Sequence, residues 1–132
     1  MIVVDTNILA YFYLPGDFTA AAEALLQHES HWCAPILWRS EFRNILTGYM
    51  RRGDLAPELA LDIQGEAESL LSGAEYEVGS GDVLRLTQSS SCSAYDCEFV
   101  ALAMTLLVPL VTMDRKILEA FPDVAKALPH PG

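Results

Sequence analysis

Short apolar runs alternate with longer amphipathic stretches along this chain. Residues 2–5 (Ile-Val-Val-Asp) are an apolar run closed by an acid, the pattern of a buried strand with the acid at its C-terminal end. Thr6 to Phe12 reads as a short helix, stopped near Pro15-Gly16. Asp17 is placed to cap a second helix, rich in Ala and Leu, that runs to about Glu29. Residues 31–33 read as a short strand. Pro35 suits a helix start, and the helix it opens runs to Met50 or Arg51, with Gly53 as its stop. Pro57 opens another helix that ends near Gly73. Residues 75–78 alternate polar and apolar and predict a strand. A helix from about Gly81 to Gln88 leads into a serine loop, Ser89-Ser90-Ser91. The next helix spans about Ala94 to Leu107, Leu110–Thr112 is a strand, and a last short helix starts near Asp114. Strands alternating with helices predict an α/β fold built on a central, mainly parallel sheet.

At 132 residues the chain is expected to be one domain, residues 1–132, and no internal repeat is visible. Hydrophobic residues make up 52% and charged residues 20%, enough apolar matter to bury a core and exclude wholesale disorder. Acids outnumber bases 18 to 8, a net charge of −10, which argues against holding nucleic acid on a broad basic surface. An enzyme that handles phosphate through a metal ion is not excluded. The charge is also uneven. Residues 53–84 hold eight acids and no Lys or Arg, and read as a solvated face. Four bases, Arg39, Arg43, Arg51 and Arg52, lie on or just after the preceding helix. No window approaches ~18 uncharged apolar residues, so no membrane span is expected. Met1 runs directly into Ile2-Val3-Val4 with no basic leader, and the three cysteines (Cys33, Cys92, Cys97) have no metal-ligand spacing. A reduced, cytoplasmic setting is the expectation.

Ligands in open α/β sheets bind at the C-terminal ends of strands, and four acids stand out against that rule. Asp5 ends the first strand, Asp114 lies just past the strand Leu110–Thr112, Asp96 opens the helix before that strand, and Glu41 sits in mid-helix. Three have a structural reading as good as a functional one. Asp5 and Asp114 suit helix caps, and Ser93-Ala94-Tyr95-Asp96 fits a capping box. Glu41 does not: its neighbours at three and four residues are Leu37, Trp38, Asn44 and Ile45, none of them basic. A carboxylate on an apolar stripe needs a partner from elsewhere in the fold, a tertiary salt bridge or a bound ion. If the four converge, like charges repel and a divalent cation relieves them. Oxygen-only ligands favour Mg²⁺ or Mn²⁺ over Zn²⁺, and such a site suits phosphodiester hydrolysis. His28, His31 and His130 form no competing ligand set.

Four segments resemble, in order and spacing, the motifs of PIN-domain ribonucleases: Val3-Val4-Asp5-Thr6-Asn7-Ile8-Leu9, Arg39-Ser40-Glu41-Phe42, Ser93 to Ala103, and Pro109-Leu110-Val111-Thr112-Met113-Asp114. The compact size and the Tyr95-Asp96-Cys97-Glu98-Phe99 version of the third motif look most like VapC-type toxins of toxin–antitoxin pairs. The resemblance implies a PIN-like central parallel sheet flanked by helices and Mg²⁺- or Mn²⁺-dependent cleavage of RNA. It implies that Asp5, Glu41, Asp96 and Asp114 form the metal site, and that Asn7 and Thr112 steady it. It also implies Thr6 as a contact for phosphate or for the metal-bound water. Glu98, two residues along the helix from Asp96, is expected to point away, at the surface or behind the ligands.

The resemblance also implies a small antitoxin laid in a groove near the site, and a homodimer. Tyr11, Phe12, Tyr13 and Phe18 put four of the twelve aromatics within eight residues and read either as a docking patch or as core. A net charge of −10 repels RNA at a distance, so Arg39, Arg43, Arg51, Arg52, Arg115 and Lys116 are candidates for a local track toward the acids. Two rivals remain. Aspartyl-phosphate hydrolases of the haloacid-dehalogenase type want a second Asp where Asn7 stands, and a lysine motif that Lys116 and Lys126 do not supply. A catalytically inactive PIN-fold interaction module has no reason to retain four like charges.

Overall fold

The computed structural model describes residues 1–129. Its centre is β1 (Ile2–Val4), whose Val3 and Val4 are 0% exposed, as a strand covered on both faces requires. β1 pairs with β2 (Trp32–Pro35) on one side and with β4 (Leu110–Val111) on the other. β3 (Glu75–Tyr76) extends the sheet beyond β2, and β5 (Ala125–Lys126) beyond β4. The order is β3-β2-β1-β4-β5, and every pairing is parallel, as the alternation of strands and helices led us to expect. The chain builds outward from β1 to β3, then crosses back to β4. The boundary between β1 and β4 is therefore the topological switch point, where the strand ends open a crevice.

Seven helices flank the sheet among the described residues: α1 (Thr6–Tyr13), α2 (Thr19–His28), α3 (Trp38–Arg51), α4 (Pro57–Leu70), α5 (Ser80–Gln88), α6 (Ala94–Leu106) and α7 (Arg115–Ala120). α3 buries Trp38, Phe42 and Leu46, one residue per turn, and α1 packs against both α2 and α3. α6 buries Cys97, Phe99, Val100, Ala101, Leu102 and Ala103, an almost all-round apolar helix that crosses β1, β2 and β4 and takes α5 on its other side. It ends at Leu107, which adopts φ 56° and is 90% exposed. Among the described residues no helix is long and apolar enough to cross a membrane.

Three local expectations change. Pro35 closes β2 rather than opening α3, because its ring-fixed φ suits a strand end as well as a helix start, and register with Tyr76 decides between them. Asp17 does not cap α2: the helix begins at Thr19, whose hydroxyl accepts from the Gly16 N–H at 3.0 Å and donates to the Tyr11 carbonyl at 2.7 Å. β5 was not foreseen. Two residues carry no alternation, and the strand exists because Leu110 N–H and Thr112 N–H donate to Val124 and Lys126 carbonyls at 3.0 Å.

Candidate active site

Asp5 leaves the end of β1 and caps α1, its Oδ1 accepting from the Thr6 N–H at 2.8 Å. Its Oδ2 accepts from the Thr112 hydroxyl at 2.7 Å, across the β1–β4 boundary. Thr112 is fully buried, and its oxygen accepts in turn from the Asp114 N–H at 3.0 Å. One hydroxyl thus ties both strand ends together. Asp114 caps α7, with Oδ1 accepting from the Ile117 N–H at 3.1 Å. Ser93 caps α6 by accepting from the Asp96 N–H at 3.0 Å. The cap readings of Asp5 and Asp114, and the Ser93 half of the box, all hold.

These structural roles do not compete with a functional one. A carboxylate has about four acceptor positions, and a cap uses one. Asp5, Glu41, Asp96 and Asp114 line a single concavity of about 250 Å³, together with Thr6, Asn7, Asn44 and Ile45. Glu41 reaches it from α3, and its Oε1 accepts from the Thr6 hydroxyl at 2.7 Å. Among the described residues Glu41 forms no ion pair, so the tertiary salt bridge that offered its bland explanation is not there. Asn44 and Ile45 were not singled out as site residues. Their signal was helical spacing, at three and four residues from Glu41 on α3.

The electrostatics follow from this crowding. Asp5 is 8% exposed, and burial pushes its carboxyl above the usual range. The Thr112 and Thr6 hydrogen bonds oppose that shift, and the charges of Asp96 and Asp114 add to it. Glu41 is raised by burial, relieved by Thr6, and raised again by Asp5, Asp96 and Glu98. Asp96 is raised by burial and by Asp114, and lowered by Ser93 and Lys116. Glu98 does not line the concavity, though its charge adds to the rise at Glu41, and burial raises its own carboxyl. The phenol of Tyr11 is raised by burial and then by Asp5.

The basic residues divide. Arg39 faces away from the acids: its Nε and Nη2 hold Glu75 at 2.6 and 2.7 Å, and Nη1 lies 3.2 Å from Glu68. Part of the acidic segment therefore binds a cation instead of solvating a helix face, and Arg39 is lost to any RNA track. Arg52 lies 3.4 Å from Asp54 and stacks on Tyr49. Lys116, exposed on α7, is near enough to favour the ionised form of Asp96.

The donors in the concavity are oxygens: four carboxylates beside Thr6, Asn7 and Asn44. That set fits a hard divalent cation better than zinc. As they stand the carboxylates line an open concavity. Among the described residues no three His, Cys, Asp or Glu side chains close into a cage.

The aromatic cluster also divides. Phe12 packs edge-on against Trp32 with centroids 5.8 Å apart, and Tyr13 lies 6.2 Å from Phe42, so both serve the core. Tyr11 and Phe18 pack on each other at 4.9 Å and line a separate groove.

Comparison with known proteins agrees with this geometry. The chain is 27% identical over 124 residues to a protein called Ribonuclease VapC3 from Pyrobaculum aerophilum, covering 92% of this chain and 95% of that one. The fold is similar to the crystal structure of PAE2754 from the same organism, with TM-score 0.77, 21% identity, and coverage of 96% of this chain and 90% of that one. It is also similar to a chain of a toxin–antitoxin complex from Klebsiella pneumoniae, with TM-score 0.70, 15% identity, and coverage of 99% and 100%. The sequence pattern of the PIN domain matches residues 2–126, which is nearly the whole of the described chain. With the parallel sheet and the acids at its switch point, this places the chain in the PIN domain family.

Proposed function

We propose that this protein is a Mg²⁺- or Mn²⁺-dependent endoribonuclease, the toxin of a toxin–antitoxin pair. The observation that carries the reading is the convergence of Asp5, Glu41, Asp96 and Asp114 on one concavity, three of them with raised carboxyl pKa and none ion-paired among the described residues. Four carboxylates held together with no ion pair among the described residues are costly unless something positive completes them. The names of the similar proteins, a ribonuclease and a toxin–antitoxin complex, support the substrate class and the partner.

In this reading Asp5, Glu41, Asp96 and Asp114 would hold the cation. Once bound, it supplies Lewis-acid stabilisation for the charge that develops on phosphate, and lowers the pKa of water. Asp5 is fixed by Thr6 and Thr112, so its oxygens are oriented before substrate arrives. Glu41, with a raised pKa and Oε2 accepting no hydrogen bond among the described residues, is the side chain suited to take a proton from the attacking water. The Asn7 amide lines the concavity, where it is placed to donate to a phosphate oxygen. Lys116 stands beside Asp96 as a cation for the flanking phosphate.

The test is cleavage of a mixed RNA pool by purified, partner-free protein with Mg²⁺ or Mn²⁺, with a chelator and Asp5→Asn as controls. Cutting that disappears in both controls supports the reading. Folded, antitoxin-free protein that neither binds divalent metal nor cuts overturns it and leaves the inactive interaction module.

A further inference from the structure

Beside the acidic concavity lies a second groove of about 300 Å³ that none of the functions above uses. Tyr11, Leu14 and Phe18, from α1 and the turn after it, line one wall, and Ile45 and Tyr49 of α3 line the other. Asn7 and Ile45 belong to both depressions, so the groove adjoins the acids. We propose that this groove is the subsite for one unpaired nucleobase of the RNA strand, stacked against the Tyr11–Phe18 and Tyr49 walls and directly flanking the phosphate to be cut.

The inference rests on the nuclease reading, and the chemistry of the groove selects its occupant. Every base has an apolar π-face, and aromatic side chains take it without a sequence requirement. The charged side chain in the lining is Asp17, which repels phosphate but accepts hydrogen bonds from the amino edge of a base. A volume of about 300 Å³ is at the small end of ligand sites and accommodates one flat ring system. Arg52, whose guanidinium carbon lies 4.6 Å from the Tyr49 ring centroid, sets a cation next to this wall, tied only by an exposed 3.4 Å contact with Asp54 that a phosphate can displace. It folds back along α3 over Gly48, where an added Cβ would stand 3.3 Å from its Nη1. That cation suits the next phosphate of a strand whose base occupies the groove. An acidic protein thereby gains affinity from stacking where it lacks a basic surface.

The experiment measures cleavage of a single-stranded RNA oligomer by the intact protein, alongside Tyr49→Ala, Tyr49→Phe and Phe18→Leu. A parallel titration uses the same oligomer with 2-aminopurine at successive positions, bound to Asp96→Asn in Mg²⁺. Loss of one stacked base predicts that Tyr49→Ala raises KM about 5- to 100-fold with little change in kcat, while Tyr49→Phe stays near wild type. One 2-aminopurine position is quenched, and Tyr49→Ala abolishes that quench. An abasic residue at that position weakens wild type as much as Tyr49→Ala does, and adds nothing in that variant. Wild-type KM and quenching in both Tyr49→Ala and Phe18→Leu overturn the inference and leave the nuclease reading standing. The same holds if those variants lose only a co-expressed protein partner, which makes the groove a protein-docking face. Wild-type protein that neither binds nor cuts RNA overturns both.

Discussion

Thr112→Val is the most informative single change, because one hydroxyl holds Asp5 and orients the Asp114 backbone. The Thr112 oxygen donates to Asp5 Oδ2 at 2.7 Å and accepts from the Asp114 N–H at 3.0 Å, inside a fully buried side chain. Valine matches its shape and removes both bonds. A hydrogen bond to a charged group contributes about 1.5–3 kcal/mol, and a stranded N–H costs about 1 kcal/mol more. The new methyl offsets roughly 0.8 kcal/mol. The net loss is about 2–3 kcal/mol, or about 6–15 °C in Tm for a chain of this size. The loss also depends on pH, with a definite sign. Asp5 has a folded-state carboxyl raised above its usual value, so the stability it contributes is fully present in acid and is lost as pH rises through the folded pKa. Removing Thr112 takes away the strongest influence opposing that rise, so Thr112→Val suffers most at neutral pH and least in acid. Denaturant melts of metal-free protein at about pH 7 and about pH 4.5 measure both. Thr112→Ser, which keeps the hydroxyl, is expected to follow the pH profile of wild type. A valine variant as stable as the serine variant, or a deficit equal at both pH values, refutes the reasoning.

The same electrostatics predict that metal-free wild-type protein gains stability as pH falls from neutral toward the range where Asp5, Glu41 and Asp96 protonate; thermal melts in chelator check this. Asp96→Asn is expected to abolish cleavage while raising the chelated Tm slightly, since it removes one of the repelling charges; reduced stability would point to a purely structural Asp96. Arg39→Ala is expected to lower Tm without changing RNA affinity, because its guanidinium holds Glu75 and Glu68 away from the concavity; weaker RNA binding in a filter assay would put Arg39 back on a track to the acids. Leu107→Gly is expected to stabilise by about 0.5–1 kcal/mol, since an exposed leucine at φ 56° carries left-handed strain that glycine does not; an unchanged denaturation midpoint would show that strain to be absorbed elsewhere.

Much of the molecule is legible in local sequence. The apolar run at residues 2–4, the caps at Asp5, Ser93 and Asp114, and the helix start at Pro57 are effects within a few residues, and the structure has each of them. Asp17 misled because Thr19, not the acid, makes the bonds at the start of α2; the other two errors came where local signals were neutral. Pro35 fits a strand end or a helix start equally well, and β5 is too short to carry a pattern. Glu41 was conspicuous because its helical neighbours offered no partner, and that argument needed no tertiary information. Its actual partner, the Thr6 hydroxyl, lies 35 residues away in sequence.

By itself, then, the sequence determined the seven helices and four of the five strands of the described residues, the caps at Asp5 and Asp114, and the order of four motifs pointing to one family. Only the tertiary structure decided which of those groups meet. The order β3-β2-β1-β4-β5 sets β1 beside β4 and lets Thr112 bond Asp5 across 107 residues. The same packing turned Arg39 toward Glu75 and divided four neighbouring aromatics between core and groove. The physical reason is common to all of these. Caps and helix periodicity act over one or two turns of chain, whereas strand order, desolvation and the repulsion between carboxylates depend on distances that exist only once the sheet has assembled.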